Sequence, residues 1–295
     1  MRRLVFLALA FVVPAVFAQA EEPSGTSLTW AGCGITKKAF MASLAEAYEK
    51  KTGVHIETQG GGATKGIRAS LAQDVDMGGT CRLKIEDDQA ESNAYLEPIA
   101  WDALVVIVHK DNPVDNITLA QLKQLYEGEI TNWQQLGGRN APLDLYVRQG
   151  KISGVGRTLR QLVFANYDQE FPLDNAFKST GPLEKALEAN PNAIAVTGIS
   201  SARKRDVKIL RLDGKEPNYA NIKSGDYLLY RPLYIAYSPD APKKVEISKF
   251  VYFAQSREGK EIIRANGVVP YSEALILIMK QLEQERLARD AGLYQ

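Results

Sequence analysis

Two stretches of the chain set glycine, hydroxyl and arginine residues where a strand gives way to a helix. In residues 58–71, TQGGGATKGIRASL, three consecutive glycines (Gly60, Gly61 and Gly62) precede Thr64, and Ile67 and Leu71 follow at helical i, i+4 spacing. In residues 148–157, RQGKISGVGR, Arg148 closes an apolar run, and a helix bearing Leu159, Leu162, Val163 and Phe164 follows Ser153-Gly154-Val155. The chemistry such junctions offer is anion capture. Free backbone N–H groups at a helix start lie at the positive end of its dipole, and glycine lets the backbone close on a ligand. Neither run is a Walker loop or a spaced dinucleotide fingerprint. Each also fits an ordinary strand-to-helix turn, with Thr64 as the N-cap of the first.

Other chemistries are poorly provided for. The two histidines, His55 in a strand and His109 at a strand end, are not in a metal-ligand spacing. Ser153 does not sit in a nucleophile elbow, and no carboxylate pair stands apart from helix-surface charge. The chain therefore reads as a binding protein and not an enzyme, with no metal and no cofactor. Residues 1–20 read as a secretory signal: Arg2 and Arg3, an apolar stretch from Leu4 to Val13, and the cleavage site Ala18-Gln19-Ala20. Of 36 basic and 35 acidic residues, the leader holds only those two arginines, so the mature chain carries 34 against 35. With no basic tail or stripe, a nucleic-acid partner is not expected. The remaining length suits two domains or one large one, and the expected location is the periplasm.

The elements that must position these residues alternate. Leu28–Ala31 is a strand followed by Gly32-Cys33-Gly34-Ile35, and Thr36 is placed to cap a helix with Phe40, Leu44 and Tyr48 at i, i+4. Gly53 stops that helix, Val54–Glu57 is a second strand, and residues 76–80 make a third that ends at Cys81-Arg82. This βαβαβ order puts each loop at a strand's carboxyl end, where open α/β sheets bind ligands. Further strands are expected at Ala103–His109, Leu143–Arg148, Ala193–Gly198 and Leu228–Tyr237, with helices between and after them. Two helix starts of the anion-binding kind on separate α/β halves imply a ligand held between lobes.

The stretches AGCGIT (31–36), TQGGGATKGI (58–67), VDMGGTCR (75–82), LYEGEITNWQQLGG (125–138) and RQGKISGVGRT (148–158) resemble the periplasmic phosphate-binding proteins of ABC importers, within the type 2 periplasmic binding proteins. The resemblance covers roughly residues 27–270. It implies an α/β, two-lobed fold with two crossover strands, near Trp101–Val106 and Arg231–Tyr234, and a sheet in each lobe. Lobe one would be residues 27–103 and 232–272, lobe two 104–231, and 273–295 a C-terminal helical extension. It further implies a tetrahedral oxyanion, most simply phosphate, bound by Gly34, Ile35 and Thr36, by Thr64, by the loop of Cys81 and Arg82, and by Arg148 with Ser153, Gly154 and Val155. The implied partner is the membrane permease of an ABC importer, served by a monomer. The alternative is a periplasmic oxyanion sensor signalling to a membrane histidine kinase.

Three departures bear on the ligand. Cys81 stands where the family commonly has Asp or Ser, Val155 where it has a hydroxyl, and Cys33 where small or hydroxyl residues are usual. If strands one and three adjoin, about 4.8 Å apart, Cys33 and Cys81 are placed to form a disulfide, whose Cα atoms lie roughly 4.4–6.8 Å apart. Two further readings remain open: thiols that take a thiophilic ligand such as trivalent arsenic, or inert free thiols. In the extension, Leu275, Ile276, Met279, Leu282 and Leu287 form a stripe expected to pack onto its own domain, a partner-binding helix being the other reading.

Overall fold

The computed structural model describes residues 27–290, apart from the side chains of 284, 285 and 287–289. The leader with its cleavage site at Ala20, and the Leu287 side chain, lie outside the described residues. Among the described residues twelve strands run in order: β1 Leu28–Gly32, β2 Ile56–Gly60, β3 Met77–Thr80, β4 Tyr95–His109, β5 Asn116–Ile117, β6 Asp144–Arg148, β7 Ala176–Phe177, β8 Ala193–Gly198, β9 Val207–Ile209, β10 Arg211–Leu212, β11 Tyr230–Tyr237 and β12 Val269–Pro270. The strand order is β2-β1-β3-β11-β4-β8-β6-β7, with β12 and β9 also on β4 and β5 paired with β10.

One strand organises this path. Residues 99–108 of β4 are all buried, matching the apolar run PIAWDALVVIV. From Tyr95 to Ala103 it pairs antiparallel with β11, and from Leu104 to Val108 antiparallel with β8. The changeover falls between Ala103 and Leu104, where β11 still lies alongside: the Leu104 amide donates to the Leu229 carbonyl at 2.7 Å. Beyond β11 lie the parallel strands β3, β1 and β2; beyond β8 lie the parallel strands β6 and β7. The expectation of a separate sheet in each lobe is thus modified, since β4 carries hydrogen bonding from one half into the other. β4 also begins well before Ala103. Glu97 and Pro98 interrupt its apolar pattern, and the proline is tolerated beside a bulge, where pairing skips from Leu233 with Ala100 to Tyr234 with Pro98.

At the changeover Arg231 of β11 stands directly opposite Asp102 of β4. Both side chains are buried, and Nη2 donates to Oδ2 at 3.0 Å, with Nε at 3.3 Å. Neither was expected from its neighbours in sequence. Two charges taken out of water interact strongly only while both are present.

On the β1–β3 side the layers meet backbone to backbone. A Cβ built on Gly78 would lie 1.9 Å from the Gly66 carbonyl oxygen, and one on Gly66 would lie 2.5 Å from the Gly79 carbonyl oxygen. Glycine at these positions lets the helix Gly62–Leu71 lie against β1 and β3. That helix begins two residues before Thr64, with Gly61 as N-cap, and the earlier helix begins at Gly34 with Cys33 as N-cap. The hydroxyls of Thr64 and Thr36 therefore sit inside their first turns and do not cap them. The first helix continues through Lys37–Met41 and Ala42–Thr52 to Gly53, whose φ of 76° ends it as expected. In the other half, Trp133 of the TNW run is fully buried and its Nε1 donates to the Asn192 carbonyl at 2.9 Å, so that run anchors a loop.

The C-terminal helix Ile276–Asp290 reverses an expectation. Leu275, Ile276, Met279 and Leu282 are 53–65% exposed, and Leu277 is the fully buried residue. Lys280 bonds the carbonyls of Ser224 and Gly225, which fixes the helix with the apolar stripe outward.

Two outcomes follow for stability in urea. Asp102→Ala, which strands the Arg231 charge, is expected to cost about 3–5 kcal/mol, with much of the loss recovered in Asp102→Ala/Arg231→Met. Gly78→Ala is expected to cost about 3 kcal/mol through overpacking, while Gly60→Ala, whose Cβ meets nothing within 4 Å, stays within about 0.5 kcal/mol.

Candidate functional site

Because β1 and β3 are neighbours with Gly32 opposite Gly79, the loops leaving them run side by side. They bring Cys33 and Cys81 together as free thiols, 6% and 1% exposed, with Sγ atoms 3.0 Å apart. Onto this pair comes the helix start at Gly154 from the other half of the molecule. A Cβ on Gly154 would lie 2.4 Å from Cys81 Sγ and 3.1 Å from Ala63 Cβ, in the first turn of the helix at Gly62. Three helix starts, at Gly34, Gly62 and Gly154, thus converge on two sulfur atoms. A helix start carries unsatisfied amides and a partial positive charge.

Several expected residues make hydrogen bonds from one half to the other. The Ile152 carbonyl accepts from Arg82 Nε at 2.9 Å and from the Thr64 hydroxyl at 3.3 Å. Arg82 is otherwise occupied by a two-pronged pair with buried Glu91, at 2.7 and 2.8 Å, and by Thr64 Oγ1 at 3.1 Å. Thr158 of the second half donates to the Cys81 carbonyl at 3.3 Å. On the far side, Ser200 bonds the Ile35 carbonyl at 3.4 Å and Lys38 bonds Ser201 at 2.7 Å.

Arg148 is turned toward its own side of the molecule. It donates to the carbonyls of Phe177 and Lys178 and to the Thr180 hydroxyl, at 3.2, 2.6 and 2.8 Å. Burial lowers its pKa, against the pull of Cys81 and Cys33. Ser153 Oγ reaches the Gly150 carbonyl at 3.3 Å, and Val155 is buried. Ile35 is buried against Gly198, whose added Cβ would lie 2.8 Å from Ile35 Cγ2, while Gly34 is exposed. Thr36 is fully buried, and among the described residues its hydroxyl has no hydrogen-bond partner. An orphaned buried hydroxyl at a convergence of helix starts is a donor in search of an acceptor.

Arg231 and Asp102 join the site from beneath. Arg231 Nη1 reaches the Cys81 carbonyl at 3.3 Å and the Gly154 carbonyl at 3.4 Å, so one guanidinium spans loops from both halves. Asp102 Oδ1 is buried and unpartnered among the described residues. Burial raises the Asp102 pKa, opposed by Arg231. The signal that could have found both was in the sequence: a lone charge inside each of two strongly apolar strands. The thiols polarise each other. Cys33 is lowered, chiefly by the hydrogen bond from Cys81, against burial, with help from Arg231 and the amides of Thr36 and Ile35. The same hydrogen bond, and burial, raise Cys81. The shared hydrogen bond thus favours charge on Cys33 over Cys81. Among the described residues no group of three or more His, Cys, Asp or Glu side chains could hold a metal ion.

This arrangement has counterparts. A protein from Clostridium perfringens, solved with bound phosphate and described as the substrate-binding protein of a phosphate ABC transporter, superposes with a TM-score of 0.75 at 28% identity, covering 83% of this chain and 99% of that one. An ABC-type phosphate transport receptor from Vibrio cholerae gives a TM-score of 0.63 at 26% identity over 82% of this chain and 99% of its own. In sequence, Protein SphX of Synechococcus elongatus is 27% identical over 91% of this chain and 85% of its own length. The phosphate-binding protein PstS of Bacillus subtilis is 24% identical over 87% and 84%. The α/β, two-lobed type 2 fold with β4 and β11 as crossing strands is the one these structures share with it. The PBP superfamily domain profile matches residues 18–258, and the chain belongs to that superfamily.

Proposed function

We propose that the chain is an extracytoplasmic binding protein that captures a tetrahedral oxyanion, phosphate first, between its lobes and delivers it to the permease of an ABC importer. The single observation that carries this reading is the buried, unpartnered Thr36 hydroxyl in the first turn of one of three converging helix starts. An oxyanion supplies the acceptor which that hydroxyl and those amides lack. Asp102 Oδ1, an unpartnered acceptor nearby, offers a protonated oxyanion the complementary contact that Cys81 does not. The similarity to phosphate receptors supports phosphate as the first choice and binding without catalysis as the role. No described helix is long and apolar enough to cross a membrane. The chain is proposed to serve its permease as a monomer. Lobe one is proposed as residues 27–103 and 232–272, lobe two as 104–231, moving apart to admit the ligand.

The sulfur contact favours a second ligand for the same cleft: a trivalent arsenic species held by both cysteines and reported to a membrane histidine kinase. Calorimetry separates the two. Phosphate binding that survives blocking of the thiols supports the first, and arsenite binding with none of phosphate, arsenate, sulfate or molybdate supports the second.

Thr36→Val is the sharper test. Removing an unpartnered buried hydroxyl leaves unfolding in urea nearly unchanged. Loss of a hydrogen bond to a charged ligand, about 1.5–3 kcal/mol, raises the phosphate Kd about 10- to 150-fold. A valine variant with unchanged Kd would remove Thr36 from the site.

A further inference from the structure

We propose that Cys33 and Cys81 are a reversible dithiol–disulfide pair whose redox state sets the charge of the ligand site; the consequence for binding rests on the oxyanion reading. The geometry is in place. The two residues leave adjacent parallel strands in register, and their sulfurs are already 3.0 Å apart, so a covalent bridge needs them only about 1 Å closer. Each sulfur has the other as its hydrogen-bond partner, and no carboxylate or histidine bonds either one among the described residues.

The two cysteines have distinct roles. Cys33 occupies the N-cap position of the helix at Gly34, with the amides of Ile35 and Thr36 and the Arg231 guanidinium favouring its thiolate. It is the nucleophile, and Cys81 is the resolving thiol. The Cys33 thiolate attacks one sulfur of an external disulfide such as glutathione disulfide, forming a mixed disulfide and expelling one glutathione thiolate. Cys81 then gives its proton to that thiolate and attacks the Cys33 sulfur, expelling the second glutathione thiolate. The cysteine pair is oxidised by two electrons, the external disulfide is reduced by two, and one negative charge leaves the site with the second glutathione.

Two properties follow. In the reduced chain any charge on Cys33 lies at the N-cap of a helix start that an oxyanion would use, so the two anions compete; in the oxidised chain that charge is gone. The thiols are also sealed, with the Gly154 backbone seated on Cys81 Sγ. An oxidant reaches them only when the lobes part, and a ligand that holds the lobes closed protects them.

The experiment incubates the reduced protein with glutathione disulfide, with and without inorganic phosphate, and follows it by intact and peptide mass spectrometry. Loss of two hydrogen atoms in a single Cys33–Cys81 link, slowed at least tenfold by phosphate, is the expected result. Cys81→Ser should stop at a stable glutathione adduct on Cys33. Calorimetry then compares the two states, the oxidised protein binding phosphate at least tenfold more tightly. Two thiols still titratable after denaturation, following exposure without phosphate, would overturn the inference. So would equal phosphate affinity in the two states. A bridge that forms while neither state binds phosphate would bring down the oxyanion reading, and the charge argument with it.

Discussion

The ion pair between Asp102 and Arg231 is the constraint around which the molecule is arranged. It lies where β4 changes partners, so the two charges fix the point at which the halves of the molecule meet. Both are out of water, and neither can be left alone without a large desolvation cost. Arg231 has one nitrogen to spare, and it spends that donor on carbonyls from opposite halves, Cys81 and Gly154. The strand core, the loop carrying one thiol and the helix start that covers it are thereby tied to a single guanidinium. Arginine suits this position because its planar fork presents several donors in fixed directions and its charge is not lost on burial.

Glycine does the complementary work. Helix starts can be aimed at a common point only if the backbones behind and between them come close. Gly66 and Gly78 allow the helix at Gly62 to lie on the sheet, and Gly154 allows the facing helix start to rest on Cys81 and Ala63. The three helix starts are thereby held close together by backbone packing. The latch around the Ile152 carbonyl adds directional hydrogen bonds across the same contact.

Much of this was legible in the sequence. The strand Ala193–Gly198 is found residue for residue, the end of the first helix at Gly53 is correct, and the glycine-rich junctions do bring helix starts together. What was misread has identifiable causes. Thr36 and Thr64 are good local caps, but tertiary packing extends both helices back to Gly34 and Gly62, placing the hydroxyls inside the first turn. The partners of Arg148, namely Phe177, Lys178 and Thr180, were not legible because they lie some thirty positions away in sequence. Asp102 and Arg231 were hidden in runs read for their apolarity. The final helix has two apolar faces, and periodicity alone does not say that Leu277 is the one that docks.

The shared strand has a mechanical consequence. β4 is continuous through the changeover, with ladders on both of its halves and β11 alongside. A single hydrogen-bonded strand shared in this way resists sliding of one half past the other, because sliding would break its ladders. The two halves therefore share one length of backbone, and a displacement on one side of the changeover is felt on the other. The seating of Gly154 on Cys81 is thus registered through the same strand that carries both ladders.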